Sequence, residues 1–407
     1  MQDKRGVQDK RPFEGVRILD FTQVVSGPYC TQFLGLLGAE VIKVESRDGD
    51  NVRWSTGDAE LVKEGLGATY IMFNMGKKSI TLDLKAPEAK DIVMQLVRTA
   101  DVVVENFRAG VMQRLGFDHK TLRAENPRLI YCSISGFGQT GPDSKAPAFD
   151  GNIQAMSGMM AVTGEVDGAP MRAGYSVGDT STGLNAALAI SAALYQRVQT
   201  GIGQFIDVAM LDSAISLLSQ TAGGWLNGRN VQKRRANLSI NFEPTADAFD
   251  TAEGGLLLAI MRDEHIKLLM QALGLDELEN DPRLATRKDR VANAAFIRGK
   301  VQEKLMTASG AEWKRRLDKA GVPCAQILDL PEALSQPQVE HRGLVVEMKD
   351  DKTGRTMQSL NAAFKYEHGG PAPSFPPQRL GAQNDEVLKR IGYSEAQIAD
   401  LKKREVI

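Results

Sequence analysis

The chain has 407 residues, 42% apolar and 25% charged, which excludes a disordered polypeptide and a collagen-like repeat. The length allows two to three domains, or one large domain with an insertion. The 50 Lys and Arg nearly balance the 51 Asp and Glu, leaving a net charge of −1, which is no footprint for nucleic acid.

Gln-Asp-Lys-Arg occurs at 2–5 and again at 8–11, with no apolar stretch behind it. Residues 1–11 therefore read as a flexible tail and not as a signal peptide. Val16–Asp20 is a short apolar strand. Gly27-Pro28 opens a helix over Pro28–Leu37, which Gly38 ends, and Glu40–Glu45 is the next strand. Ser79–Leu84 is expected to be a strand. Pro87–Thr99 has helical spacing, with Ile92, Val93, Leu96 and Val97 on one face. Asp101–Glu105 and Leu129–Ile134 are further strands. An Ala-rich helix follows over 180–199, closed by Gly201-Ile202-Gly203, and then a strand over Gln204–Met210. β-Branched runs alternating with amphipathic helices predict βαβ units and a parallel sheet. Residues 226–245 are polar and basic and read as a linker. Residues 246–340 read as a smaller α+β domain that begins with a hairpin around Gly254-Gly255. Residues 341–407 return through a Pro-rich stretch to a last amphipathic helix over Asn384–Arg404. No apolar run reaches the ~18 residues of a membrane span, so a cytoplasmic protein with no membrane or nucleic-acid partner is expected.

Familiar chemical motifs are absent. The loop Asp20–Pro28 leads from strand to helix but carries only Gly27, so it is not GxGxxG, and no GxxxxGK[ST] occurs. There is no GxSxG elbow. The three cysteines, Cys30, Cys132 and Cys324, form no CxxC pair, and no metal site is expected. Cys30 and Trp313 read as core residues, and His119 as a surface residue. Basic residues follow successive strands: Arg47 and Arg53, then Lys77, Lys78 and Lys85, then Arg108 and Arg114. Open α/β sheets bind ligands at that edge, and dispersed cations suit a ligand with separated phosphates. Asp179 lies in Gly178-Asp179-Thr180-Ser181, where the Ala-rich helix begins. It is either a helix N-cap or a carboxylate nucleophile whose charge the helix end stabilises. Asp150, before Gly151, is a second loop carboxylate or an Asp-Gly turn.

Six blocks carry a resemblance: 19–45, 73–85, 100–116, 131–142, 177–212 and 380–393. They include LDFTQVVSGPYC, FNMGKKSITLDLK, ADVVVENFRAG, YCSISGFGQTGP, VGDTSTGLNAA and LGAQNDEVLKRIGY. In this order they resemble the class III CoA-transferases, over residues 12–407. The resemblance implies a Rossmann-like large domain formed by 12–225 with 341–407, the smaller inserted domain, and an interlocked homodimer. It implies coenzyme A and acyl-CoA as substrates, with no tightly bound cofactor. It places the catalytic aspartate at Asp179, with Asp150 beside it. It also places CoA contacts at Gln23, Val24, Val25, Ser26, Arg47, Leu82, Lys85, Asn106, Phe107, Arg114 and Phe149.

The implied reaction moves CoA from an acyl-CoA to a free carboxylic acid, a dicarboxylate among the candidates, through aspartyl anhydride and aspartyl-CoA intermediates. Arg172, Arg234 and Arg235 are candidate partners for a distal carboxylate. Val25 stands where the formyl-CoA transferases of the family have Gln, and Pro147 where they have Lys. Asn241–Thr245 replaces their glycine run, which argues against oxalate as the acceptor. The racemases of the family pair a His with the acid at position 150, and this chain has Phe149 there. Racemisation needs two proton carriers, so CoA transfer is the favoured expectation and α-epimerisation the alternative. A non-catalytic CoA-binding protein is the third reading.

Overall fold

The computed structural model describes residues 9–407. Residues 1–8 of the expected tail lie outside the described residues. From its end, Arg11 donates to the Ala372 carbonyl at 2.7 Å and to Ser374 Oγ at 3.0 Å. The chain forms two units. One runs to Met160 and takes in Arg172–Gln232 and Arg342–Ile407. The other is Ala161–Met171 with Lys233–His341, so residues 161–171 cluster with the small unit and not with the flanking chain.

The first unit is built on a six-stranded parallel sheet: β1 (Arg17–Asp20), β2 (Glu40–Glu45), β3 (Lys77–Thr81), β4 (Val102–Glu105), β5 (Ile130–Ser135) and β6 (Phe205–Ala209). Their spatial order is β3-β2-β1-β4-β5-β6. The chain winds outward from β1 in one direction and then from β4 in the other. Between β1 and β4 the connections diverge and leave a crevice at the carboxyl ends of the strands.

Alternation along the strands feeds two cores. Ile18, Val41, Val102, Val104 and Ile130 pack on one face beneath Cys30, Leu34, Ala186, Ile190 and Leu194. Leu19, Ile42, Val103 and Tyr131 pack on the other beneath Ile92, Val93, Leu96 and Val97 of the Pro87–Arg98 helix. Each such aliphatic side chain contributes roughly 1.5–3 kcal/mol when fully buried. Val387, Leu388, Ile398 and Leu401 join that second face. The single C-terminal helix expected over 384–404 is instead two, Asn384–Arg390 and Glu395–Lys403. Gly392 divides them, with φ +98°, where a side chain is strained.

β10 (Val345–Lys349) and β11 (Thr356–Leu360) form an antiparallel hairpin in the same unit. The second unit holds β7 (Ala248–Asp250), β8 (Gly255–Leu258) and β9 (Cys324–Ile327) in an antiparallel sheet. Its own core includes Phe249, Leu269, Val301, Leu317 and Trp313. No helix among the described residues is long and apolar enough to cross a membrane.

Candidate active site

β1 ends at Asp20, on the sheet side of the crevice. Its buried carboxylate accepts from Thr22 N at 2.9 Å, Thr22 Oγ1 at 2.5 Å, Thr31 Oγ1 at 2.6 Å and Lys77 Nζ at 3.0 Å. These bonds curl the chain from strand to helix. A Cβ on Gly27 would lie 2.3 Å from Thr22 Cβ, so only glycine permits the curl. The helix starts at Ser26, two residues earlier than Pro28 suggests. The loops after β1 and β4 are joined reciprocally. Gln23 N donates to Asn106 Oδ1 at 2.8 Å, and Asn106 Nδ2 donates to Gln23 O at 2.8 Å. The last residue of β4, Glu105, accepts from Phe107 N at 2.8 Å and from the Ser133 hydroxyl. Burial, opposed by those two bonds and reinforced by Asp207, pushes its carboxyl up to about 7.

Asp179 enters from the 24-residue helix Val177–Thr200. It sits in the first turn and is not the cap: Ser176 holds that position and makes no side-chain capping bond. Asp150 does that work from outside the helix. Its Oδ1 accepts from Gly178 N at 2.7 Å and from Asp179 N at 3.2 Å, and its Oδ2 accepts from Gln154 Nε2 at 2.6 Å. Asp150 is also the first residue of its own helix, Asp150–Met156, and not the corner of a turn. With Asp150 holding two of the helix N–H groups, the Asp179 carboxylate is free to face the cavity. Burial first, then the charge of Asp150, push it up to about 6, against hydrogen bonds from the Ser26 hydroxyl and N–H.

Two adjoining cavities open here. One, of about 370 Å³, is lined by Gln23, Val24, Val25, Ser26, Asn106, Phe107, Phe149, Asp150 and Asp179. The other, of about 690 Å³, is lined by Gln23, Arg47, Leu82, Lys85, Phe107 and Arg114. Gln23 and Phe107 border each of them. The structure thus brings together every residue singled out in the sequence for catalysis or CoA contact.

The further basic candidates divide. Arg108 lines the smaller cavity. Arg53 is buried against Glu45 at 2.6 Å, Lys77 against Asp20, and Lys78 pairs Glu40 at 2.9 Å and Glu386 at 2.5 Å. These three hold the fold and do not face the groove. Arg234 is committed to the carbonyls of Glu165 and Gly168, at 3.2 and 2.7 Å. His119 is not simply exposed: its ring stacks on Phe205 with centroids 4.0 Å apart.

The smaller cavity also takes in Ile134 and Ser135 at the end of β5, Gly136 after it, Ala146 and Ala148, and Met210 after β6. The rule that ligands gather at strand carboxyl ends could have flagged the residues after β5 and β6. Nothing local marks Ala146 or Ala148. Chemically, the larger cavity offers three cations (Arg47, Lys85, Arg114) beside the apolar Leu82 and Leu84, with Asp48, Asp83 and Glu405 also on its wall and Glu405 paired to Arg47 at 2.9 Å. A ligand with phosphates and a flat base suits Lys85, Arg114 and the two leucines, and would compete with Glu405 for Arg47. The smaller cavity sets the Asp179 carboxylate, with Asp150 and Arg108, among Val24, Val25, Phe107, Ile134, Phe149 and Met210, which suits attack on a carbonyl.

A family model described as CoA-transferase family III matches residues 13–384. A succinate–glutarate CoA-transferase of Agrobacterium fabrum is 39% identical, covering 94% of this chain and 96% of its own. An acetyl-CoA:oxalate CoA-transferase of Acetobacter aceti is 38% identical, covering 97% of this chain and 100% of its own. The crystal structure of a CAIB/BAIF family protein from Brucella suis superposes with a TM-score of 0.87 at 33% identity, covering 94% of this chain and 100% of that one. With the match running through every strand of the parallel sheet and both cavity-forming loops, the chain belongs to CoA-transferase family III and is a class III CoA-transferase, moving CoA from an acyl-CoA to a free carboxylic acid.

Proposed function

We propose that Asp179 is the nucleophile of this transfer and that small dicarboxylic acids are its acids. The observation that carries the first part is the Asp179 carboxylate in the smaller cavity, relieved of capping duty by Asp150. A carboxylate oxygen of Asp179 attacks the thioester carbonyl, the C–S bond breaks, and CoA leaves as thiolate. The thiolate attacks the aspartyl carbonyl of the mixed anhydride, releasing the donor acid and leaving an aspartyl-CoA thioester. The acceptor carboxylate attacks that thioester and frees the thiolate. The thiolate then attacks the acceptor's acyl carbonyl, which releases Asp179. Asp150 fixes the helix end throughout. Arg47, Lys85 and Arg114 hold CoA phosphates, and Leu82 lies along the adenine. Gln23 to Ser26, Asn106, Phe107 and Phe149 shape the path to the thioester.

The dicarboxylate reading rests on relatives named for succinate, glutarate and oxalate, and Arg108 supplies a cation in the same cavity for a distal carboxylate. No histidine lines the smaller cavity, and Phe149 occupies the wall beside Asp150, which disfavours α-epimerisation. We further propose a homodimer, supported by an apolar face on the Val177–Thr200 helix and the residues after it. Leu188 is 69% exposed, Val198 80% and Ile202 62%. Three unpaired cysteines, two of them buried, fit a reducing compartment such as the cytoplasm.

The test is intact mass after incubation with an acyl-CoA and no acceptor. The wild type should gain a hydroxylamine-sensitive CoA adduct. Asp179→Ala should gain none and lose at least about a thousandfold in turnover. A variant that still forms the adduct, or a wild type that never does, overturns the assignment.

A further inference from the structure

The loop between β1 and its helix carries one conformational outlier. Val24 has φ +69°, in the left-handed region where a β-branched side chain is strained. Such a conformation persists only where its surroundings over-determine it. Here they do. Val24 N donates to Asp50 Oδ2 at 3.0 Å and Oδ1 at 3.2 Å. Lys43 Nζ donates to Asp50 Oδ2 at 3.1 Å and to the Thr22 carbonyl of the same loop at 2.7 Å. The Lys43 and Asp50 side chains are wholly buried. Asp50 N in turn donates to Glu45 Oε1 at 3.1 Å, and Glu45 is paired with Arg53. The loop is therefore gripped from the sheet side at two points, Thr22 O and Val24 N–H. Its outer side, Gln23 to Ser26, forms the wall of the cavity that Asp179 also lines.

We propose that Asp50, held by Lys43, is a positioning residue for CoA transfer: it clamps the Val24 N–H, keeps Val24 left-handed, and so holds Gln23 to Ser26 in place as the cavity wall facing Asp179. The inference rests on Asp179 being the nucleophile. Asp50 touches no substrate in this scheme and lines neither cavity. A bland role exists for it as well, because Oδ1 also accepts from Val52 N at 3.3 Å and could serve only to start a short turn. The two roles differ in whether Val24 matters.

A double-mutant cycle separates them. Asp50→Asn keeps one acceptor oxygen but removes the charge that pairs with Lys43 and puts an NH2 group in place of the other acceptor, while the carboxylate of Asp20 still faces Lys43. Val24→Gly makes the left-handed conformation free of strain. Turnover is measured per CoA-binding site, titrated with CoA, so that unfolded chain is not counted. In the Val24 background, Asp50→Asn should lower kcat at least about tenfold, with KM for acyl-CoA changed less than about threefold. In the Val24→Gly background the same substitution should cost no more than about threefold. An equal loss in the two backgrounds, no loss in the first, or a loss confined to KM overturns the role of Asp50. If Asp50→Asn does not fold, Asp50→Ser carries the same cycle. Failure of the wild type to form the CoA adduct would instead overturn the reading of Asp179, so the two failures remain distinct.

Discussion

Two carboxylates meet in the smaller cavity, and their hydrogen bonds divide the work between them. Asp150 spends its oxygens on Gly178 N–H, Asp179 N–H and Gln154. Asp179 keeps its own for the cavity and Ser26. The division carries a pH signature. Asp179 is held at about 6, above its ordinary 3.8, so the folded chain takes up a proton there more readily than the unfolded one. This group's contribution to stability is therefore greatest below 3.8 and is lost as pH rises through about 6. Activity runs the other way, because only the ionised form attacks. kcat/KM should fall as pH drops through about 6, since that profile reports the free enzyme. Asp150→Asn removes the neighbouring charge and keeps an oxygen for the two N–H groups. The acid limb should then move below about 6 and stay above 3.8, because burial is the larger cause of the shift. A limb that stays put or moves up in that variant would sink the account. The sequence placed Asp179 where a helix begins, but not the residue that caps it. Asp150 acts across 28 residues of chain, and no periodicity or local motif encodes such a contact. That pair came from the family resemblance alone.

Helices set the distances in the site as much as the residues do. The Ser26–Leu36 and Val177–Thr200 helices approach where Gly183 has no side chain. A Cβ there would lie 2.6 Å from Ser26 O and 3.1 Å from the Tyr29 ring. Gly183→Ala pits two effects against each other. Alanine favours the helix by up to about 1 kcal/mol. Overpacking against a backbone oxygen costs about 1–3 kcal/mol, and the carbonyl belongs to the residue that bonds Asp179. The clash should prevail, lowering the melting temperature by several degrees and reducing kcat with it. Unchanged melting and turnover would show that the helices yield freely. Elements with a strong period were legible: Glu40–Glu45 occurs with the expected ends, and Pro87–Arg98 differs by one residue. β9 and the β10–β11 hairpin were not anticipated. Each is short. β9 and β10 mix half-buried with exposed positions, and β11 alternates exposed with buried but buries Ser359 and exposes Leu360, so little apolar alternation marks them in the sequence. The break at Gly392 was hidden because helical spacing continues on either side of it.

At the scale of the molecule, the doubly wound sheet puts the cavities where β1 and β4 diverge, which the βαβ pattern implied once a parallel sheet was accepted. What a single chain leaves unanswered is the outer face of the Val177–Thr200 helix. One side buries Ala186, Ile190 and Leu194 in the core. The other shows Leu184, Leu188, Tyr195 and Val198 to solvent, three to seven residues apart, with Ile202 beyond the helix end. Exposed large apolar side chains grouped along one side of a helix mark an interaction surface. A second copy of the chain would complete the burial, at roughly 1.5–3 kcal/mol for each aliphatic side chain covered. A glutamate at such a position loses that contribution and adds a desolvation cost, and twofold symmetry doubles the effect. Leu188→Glu combined with Val198→Glu should therefore weaken association at least about a hundredfold. In sedimentation velocity at micromolar concentration, the wild type should run at twice the chain mass and the double variant at the chain mass. The variant's melting temperature should then depend less on protein concentration than the wild type's, because its fold no longer draws on association. A wild type that sediments as a single chain, or a variant that sediments with it as a dimer, would remove this face from the interface.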